Sequence, residues 1–193
     1  EVLDHIGEQV SLRQFDISNR NRNRVSAVIQ VTPIEQLGIT ASIAGGNDRR
    51  PDAAFGLNRN DNRVYAVSLD AVPNEGTTFG VSYGFEDYKT TQNSRQANPG
   101  AQFNDLTRNW STNGFERVHT ANAGADLLKL VPRTELHVSY DFSRSTARYL
   151  YTVPINSTLP SIAELPPILN EMHHGVFDLN YLLRPNLTVG FVY

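Results

Sequence analysis

The sequence contains no cysteine, and its only lysines are Lys89 and Lys129. Without cysteine the chain cannot form a disulfide, a thiolate metal site, a thiol nucleophile or a c-type haem attachment. We therefore expect no cofactor in this chain. The sequence also lacks any apolar run near the roughly 18 residues that a membrane-spanning helix requires. Mean hydropathy is −0.38, but a membrane β-strand needs apolar residues only at alternate positions, so β spans stay open.

The charge pattern and the motifs predict neither a nucleic-acid partner nor an enzyme. Net charge is −3, and the densest basic group, residues 20–24, is short enough to be a solvated loop or strand rim. No nucleophile elbow, phosphate-binding loop or metal-ligand spacing is present. A Ser/His/acid set cannot be assembled from the predicted strands. The histidines have no ligand pattern and are interpreted as structural; they are His5, His119, His137, His173 and His174.

The length and composition predict one domain over residues 1–193, which the strand pattern described next identifies as a β-barrel segment and which we expect to be cut at both ends. The first residues have no signal-peptide pattern, and the last ones, 190–193, stop within an alternating apolar run. Residues 1–22 are expected to form a loop that leads into the first strand.

A repeated unit organises the chain: an alternating run, a short turn built on proline, a second alternating run and then a long polar stretch. The turns contain Pro33, Pro73, Pro132 and Pro185. Proline cannot donate to a strand ladder, so each is expected to end a strand. This pattern predicts an all-β fold, an antiparallel up-and-down meander of about eight strands. The predicted strands are 23–32, 37–46, 61–72, 77–90, 114–130, 134–149, 171–184 and 187–193, with long loops at 47–60, 91–113 and 150–170.

Alternation with a period of two gives each strand an apolar face and a polar face. The polar face is predicted to line a lumen and carries Ser68, Asp70, Gly80, Ser82, Gly84, Asn122, Gly124, Asp126, His137, Ser139, Asp141, Asp178 and Asn180. The apolar face is predicted to contact lipid and carries Tyr65, Val67, Leu69, Phe79, Val81, Tyr83, Phe85, Leu136, Val138, Tyr140, Phe142, Phe177, Leu179, Tyr181, Val189 and Phe191.

The composition of the two faces favours a transmembrane barrel over a soluble β-sandwich. The exposed face of a soluble sheet usually carries lysine and other long charged residues, whereas this polar face is built from Gly, Ser, Thr, Asn and Asp. The centre of the apolar face has no charge. Aromatic residues, among them Tyr65, Phe85, Tyr88 and Phe142, are expected near its ends, as in the aromatic girdles of barrels. A polar face rich in glycine, with few bulky side chains, favours a larger barrel than eight strands alone would close.

The inward carboxylates allow two interpretations. Asp70, Asp126, Asp141 and Asp178 lie on different predicted strands and could make the lumen mildly acidic, which would favour a cationic occupant. Alternatively, they form hydrogen bonds with neighbouring lumen residues. The sequence does not separate the two.

Several segments resemble the MtrB/PioB family of decahaem-associated outer-membrane proteins. They are residues 15–24, 83–88, 94–112, 127–132 and 165–171, and the resemblance extends over residues 15–193. It implies a bacterial outer-membrane barrel that contacts lipid and sheathes a periplasmic multihaem c-type cytochrome. Electrons would cross the membrane along haems that belong to that partner, with docking to an extracellular cytochrome. Many members have a CxxC motif near the mature N-terminus, which this sequence lacks. The alternative functions are a diffusion porin or substrate-specific channel and, with a different fold, a soluble sandwich that acts as a binding module.

Overall fold

The computed structural model describes residues 18–96, 104–128 and 131–193, and within them the chain is almost entirely β-structure. A single 3₁₀ turn, Leu106–Arg108, is the only helical element in these ranges. The strands are β1 (Asn21–Ile34), β2 (Leu37–Arg49), β3 (Gly56–Asn74), β4 (Thr77–Arg95), β5 (Asn109–Leu127), β6 (Thr134–Thr152), β7 (Ile168–Arg184) and β8 (Leu187–Val192).

The eight strands form one sheet in the order β1 to β8, and each pairs antiparallel with the next. The prediction of an antiparallel up-and-down meander is therefore confirmed. The sheet is not closed on itself, because β1 and β8 are its two edges. One end has tight connections, such as the turns at 35–36, 75–76 and 185–186, and the other end has the longer connections 50–55, 96–108 and 153–167.

Two of the four prolines differ from the expectation that each would end a strand. Pro33 and Pro73 lie inside β1 and β3, one residue before those strands end. Both coincide with shifts in register, and such an irregularity leaves room for a residue without an N–H donor. Pro132 precedes Arg133, which has a positive φ of 68° in the turn before β6.

The strands run further toward the long-loop end than the sequence predicts. The expected loops 47–60, 91–113 and 150–170 shrink to 50–55, 96–108 and 153–167. The hydrophobic alternation fades in these segments, but the backbone ladder needs no apolar side chains to continue. At the other end β5 stops at Leu127 rather than at residue 130, and residues 129–130 lie outside the described ranges. Likewise β1 begins at Asn21, while residues 1–17 of the expected leading loop are outside them.

The described residues contain almost no hydrophobic core. Only Ala53, Phe55 and Ala147 are buried apolar residues, and none of the described side chains is fully buried. Ala53 and Phe55 lie in the connection between β2 and β3, where the guanidinium carbon of Arg95 stands 5.1 Å from the centre of the Phe55 ring. The sheet is thus a single layer that leaves its apolar face open.

Candidate functional site: the two faces of the sheet

The register assembles the predicted polar residues into continuous rows on one face. One row pairs Asp70 with Gly80, Gly124 and Ser139 across four strands. The next row joins Ser68, Ser82, Asn122 and Asp141, and a third joins Asp126, His137 and Asp178. Gly84 and Asn180 lie on the same face.

Hydrogen bonds link the members of these rows across the strands. Ser82 Oγ donates to Asn122 Oδ1 at 2.7 Å, and Asn122 Nδ2 donates to Asp141 Oδ1 at 2.5 Å. The other oxygen of Asp141 lies 3.2 Å from Nδ1 of His174. This ladder therefore crosses four strands, from β4 to β7.

A second group of hydrogen-bonded polar residues lies on the same face, two rows closer to the tight turns. Asp126 accepts a hydrogen bond from Thr78 Oγ1 at 2.8 Å and contacts His137 Nδ1 at 2.5 Å. Asn180 Nδ2 donates to Asp178 at 2.9 Å. Three of the four inward carboxylates thus have hydrogen-bond partners on the same face, which favours the hydrogen-bonding interpretation over a free acidic lining.

Glycines keep the polar face open and allow neighbouring side chains to lie over them. A Cβ atom at Gly84 would stand 2.6 Å from Thr120 Oγ1, and one at Gly190 would stand 2.5 Å from Asn180 Oδ1. A shallow cavity of about 490 Å³ lies near the tight-turn end of this face, where Asp70, Asp126 and His137 contribute to its lining. The polar face therefore has space above it for atoms of another group.

The apolar face is the more exposed one, which is the reverse of a soluble protein. Phe79, Val81 and Tyr83 are 44%, 49% and 45% exposed, whereas Gly80 and Ser82 between them are only partly exposed. The described chain places no second layer over these apolar side chains. A soluble sandwich would bury them, so the geometry speaks against that alternative.

All the residues predicted for the apolar face share one face in the register. Tyr65 pairs with Phe85, and Val67 pairs with Tyr83. Leu136 pairs with Leu179, which also pairs with Phe191. Further members of the rows are Leu69, Phe79, Val81, Val138, Tyr140, Phe142, Phe177, Tyr181 and Val189.

Two histidines that the sequence did not assign to this face lie at its margin. Nδ1 of His119 is 2.7 Å from the Tyr83 hydroxyl, and the His119 ring centre is 4.9 Å from that of Phe85. Nδ1 of His173 is 2.6 Å from the Tyr140 hydroxyl. The expectation for Tyr88 was wrong: it follows the parity of Glu86, to which its hydroxyl donates, and so belongs to the polar face.

The apolar face carries a zone of charged residues beyond its aromatic margin, toward the long loops. Arg59 forms an ion pair with Asp61 at 2.6 Å, and Arg117 one with Asp87 at 3.5 Å. The sequence analysis placed Arg59 in a predicted loop and Asp61, Asp87 and Arg117 in predicted strands, and it did not find this zone. Its signal was the return of charge at alternate positions such as 59, 61 and 63.

Within the described ranges no group of three or more His, Cys, Asp or Glu residues is placed to hold a metal ion. The same ranges contain no helix that is long and apolar enough to cross a membrane.

One antiparallel sheet whose exposed face is apolar and whose other face is polar is the architecture of an outer-membrane β-barrel wall. Residues 4–193 match the family described as "Putative outer membrane beta-barrel porin, MtrB/PioB", and the chain belongs to that family. It is thus an outer-membrane protein of a family described as β-barrel porins.

A solved structure shows the same fold. The crystal structure of the ferric yersiniabactin uptake receptor FyuA from Yersinia pestis superposes with a TM-score of 0.53 at 14% identity. The match covers 89% of this chain and 27% of the receptor. At this identity the likeness concerns the fold alone. No curated protein matches the sequence.

Proposed function

We propose that this chain forms part of the wall of a wide outer-membrane barrel that sheathes a periplasmic multihaem c-type cytochrome. The apolar face contacts lipid, and the polar face lines the lumen. Electrons cross the membrane along the partner's haems, and the barrel supplies insulation and position. It also offers a docking site for an extracellular cytochrome.

The observation that carries this proposal is the inverted exposure of the sheet, together with membership in the family. Apolar side chains such as Val81 are open, while the polar face is a hydrogen-bonded surface of small residues. In a bilayer the exposed side chains of the apolar face would contact lipid hydrocarbon instead of water. Small side chains on the polar face leave the width that an enclosed protein requires.

The orientation follows from the connections. Outer-membrane barrels place short turns in the periplasm and long loops outside. The turns 35–36, 75–76 and 185–186 are then periplasmic, and the loops 96–108 and 153–167 are extracellular. A periplasmic cytochrome would enter from the tight-turn end, past the Asp126–His137 group.

The assignment of the faces is tested with single cysteines, since this chain has none of its own. Val81→Cys and its neighbour Ser82→Cys would be introduced into the full-length barrel, with any cysteine outside this chain changed to serine. A spin label at position 81 should be accessible to oxygen dissolved in lipid, and one at position 82 to a water-soluble nickel chelate. The opposite pattern would overturn the assignment.

The cytochrome partner is tested by purifying the tagged full-length barrel from its native membrane in mild detergent. Covalently bound haem should co-purify at a fixed stoichiometry, and a barrel recovered free of haem under several conditions would contradict the sheath. The control is a second barrel of the same membrane that carries the same tag.

A diffusion porin or substrate-specific channel is the second candidate, and the family description favours it by the word porin. A porin would conduct ions as an isolated barrel in a planar bilayer, whereas a barrel occupied by a cytochrome would not. If the isolated barrel conducts and these carboxylates line its pore, Asp126→Asn and Asp141→Asn should each lower its cation selectivity. Unchanged selectivity would show that the two carboxylates do not line the pore.

A further inference from the structure

A cleft of about 610 Å³ opens on the apolar side of the sheet, beyond the aromatic margin and toward the long loops. Its lining comes from β1 to β5 and includes Val25, Gly45, Arg63, Asp87 and Lys89. These residues share the face of Tyr65 and Phe85, as the register shows. The cleft is therefore outside the lumen and continuous with the surface assigned to lipid.

The cleft exists because a side chain is missing from one row. Gly45 pairs with Val25 on one side and with Arg63 on the other, so the row has a gap between two large side chains. A Cβ atom at Gly45 would meet only the Asn62 carbonyl oxygen, at 3.5 Å, an ordinary contact. A larger residue could thus occupy the gap without disturbing the strand.

The charge of the cleft is cationic once its ion pairs are counted. Asp61 is paired with Arg59, and Asp87 is paired with Arg117. Arg63 and Lys89 are exposed, and neither forms an ion pair with another described residue. The lining thus has four cations, Arg24, Arg59, Arg63 and Lys89, against two carboxylates, Asp61 and Asp87, which leaves it with an excess of positive charge to attract an anion.

The position of the cleft along the strands matches the headgroup layer of a membrane. Arg63 lies two residues beyond Tyr65, whose ring is stacked 6.2 Å from that of Phe85. Two residues of a strand advance by about 7 Å. Aromatic side chains of barrels mark the membrane interface, so the cations lie just outside it, at the level of lipid phosphates.

We propose that this cleft binds the phosphate-bearing headgroup of a lipid in the outer leaflet, with Arg63 and Lys89 as its cationic ligands. The acyl chains of that lipid would run down the apolar face over Ile43 and Tyr65. The proposal rests on the lipid contact assigned under the proposed function. A lipid is favoured over a free anion because the cleft borders the apolar surface directly.

The test uses the full-length barrel in detergent and measures bound lipid by native mass spectrometry. The probes are lipid A, which carries two phosphates, and phosphatidylcholine, which has no net charge. The double variant Arg63→Gln/Lys89→Gln should bind lipid A about ten- to thirtyfold more weakly, since each surface cation contributes roughly fivefold to attraction by anionic lipid. Phosphatidylcholine binding should not change.

Two further variants separate the site from general charge effects. Gly45→Leu fills the cleft without altering charge and should also weaken lipid A binding. Arg133→Gln/Arg184→Gln removes the same charge at the tight-turn end and should leave it unchanged. Unaltered lipid A binding in the Arg63/Lys89 double variant, or equal losses in both double variants, would overturn the proposal.

Inorganic phosphate distinguishes the source of the anion. Displacement of lipid A by millimolar phosphate would identify a free-anion site and contradict the lipid. Folding of each variant is checked by its heat-dependent gel mobility, and Lys89→Gln alone serves if a double variant fails to fold. The spin label at position 81 reports separately on lipid contact, so a failure of the proposed function is recognised independently.

Discussion

The two halves of β4 have the same backbone pairing but very different side chains. From Thr77 to Phe85 one face is apolar and exposed, whereas from Glu86 to Arg95 both faces carry polar or charged residues. Pairing with β5 is uninterrupted over both halves. The comparison shows that the backbone hydrogen bonds between strands continue whatever the polarity of the side chains. The side chains alone distinguish the two halves.

The lengths agree with this division. A strand of 19 residues is about 65 Å long, or about 50 Å along the barrel axis after tilting. The hydrocarbon core is only about 30 Å thick. The strand is therefore longer than a membrane crossing requires, and the charged half is the part that lies toward the long loops.

A charge placed in each half gives the largest expected contrast. Val81→Arg, in the middle of the apolar half, should lower the free energy of unfolding by about 2–4 kcal/mol, because the guanidinium would enter hydrocarbon. Thr91→Arg, on the same face of the charged half, loses only the hydrogen bond from Thr91 to Asn113 and should lower it by about 1 kcal/mol or less. Urea titration of the full-length barrel in vesicles measures both, and equal losses would refute the division.

The polar face of the apolar half should show an intermediate effect. Asn122→Ala removes the link between Ser82 and Asp141, and a typical intramolecular hydrogen bond contributes about 1 kcal/mol. We expect a loss of roughly that size in the same titration. Ser139→Ala is the control, since the described contacts give its hydroxyl no hydrogen bond. Similar losses in the two variants would show that the ladder adds no stability.

Removing charge from the projecting half should have a small effect. Arg117 and Asp87 form an ion pair at 3.5 Å in which the arginine is largely exposed. Exposed pairs contribute about 0–1 kcal/mol and are screened by salt. Arg117→Gln should therefore shift stability by less than 1 kcal/mol at low salt and less again at high salt. A loss as large as that of Val81→Arg would mean that this half is not in water.

The smallest effect concerns pH and the loop after β4. Hydrogen bonds from the hydroxyl and the backbone N–H of Thr107 lower the pKa of Asp105, which caps the 3₁₀ turn. A carboxyl with a lowered pKa stabilises the turn above its ordinary pKa of about 3.9 and loses that effect as pH falls through the lower value. The protection of the Thr107 amide against hydrogen exchange, taken relative to the intrinsic rate at each pH, should fall only in that acid range.

Asp105→Asn is the control for this pH effect. An amide side chain can still accept the bond from Thr107 but does not titrate. Its amide exchange should follow ordinary pH dependence through the acid range. A retained acid transition in the variant would assign the effect to another group.

The sequence predicted the strands best where the alternation of apolar and polar residues is strongest. Alternation in β4 identified the faces of Phe79, Val81 and Ser82, because neighbouring residues of a strand lie on opposite faces of the sheet. It failed beyond Phe85, where the loops were predicted too long and Tyr88 was assigned to the wrong face. There both faces of the strand carry polar residues, so alternation carries less information.

The partners within each face were not predictable from the sequence. Which strand residues oppose each other depends on register, and a one-residue slip would exchange the faces. The pairs His174 with Asp141 and His119 with Tyr83 are 33 and 36 residues apart in the sequence. No local pattern identifies contacts at such separations.

The sequence by itself determined that this protein is a β-sheet with one apolar and one polar face, because side-chain alternation is a local property of each strand. The absence of cysteine likewise excluded covalent haem attachment in this chain. Only the tertiary structure decided which side chains form the hydrogen-bonded ladder and where Gly45 leaves a gap beside Arg63. These features arise from cross-strand register, which brings together residues that are distant in the chain.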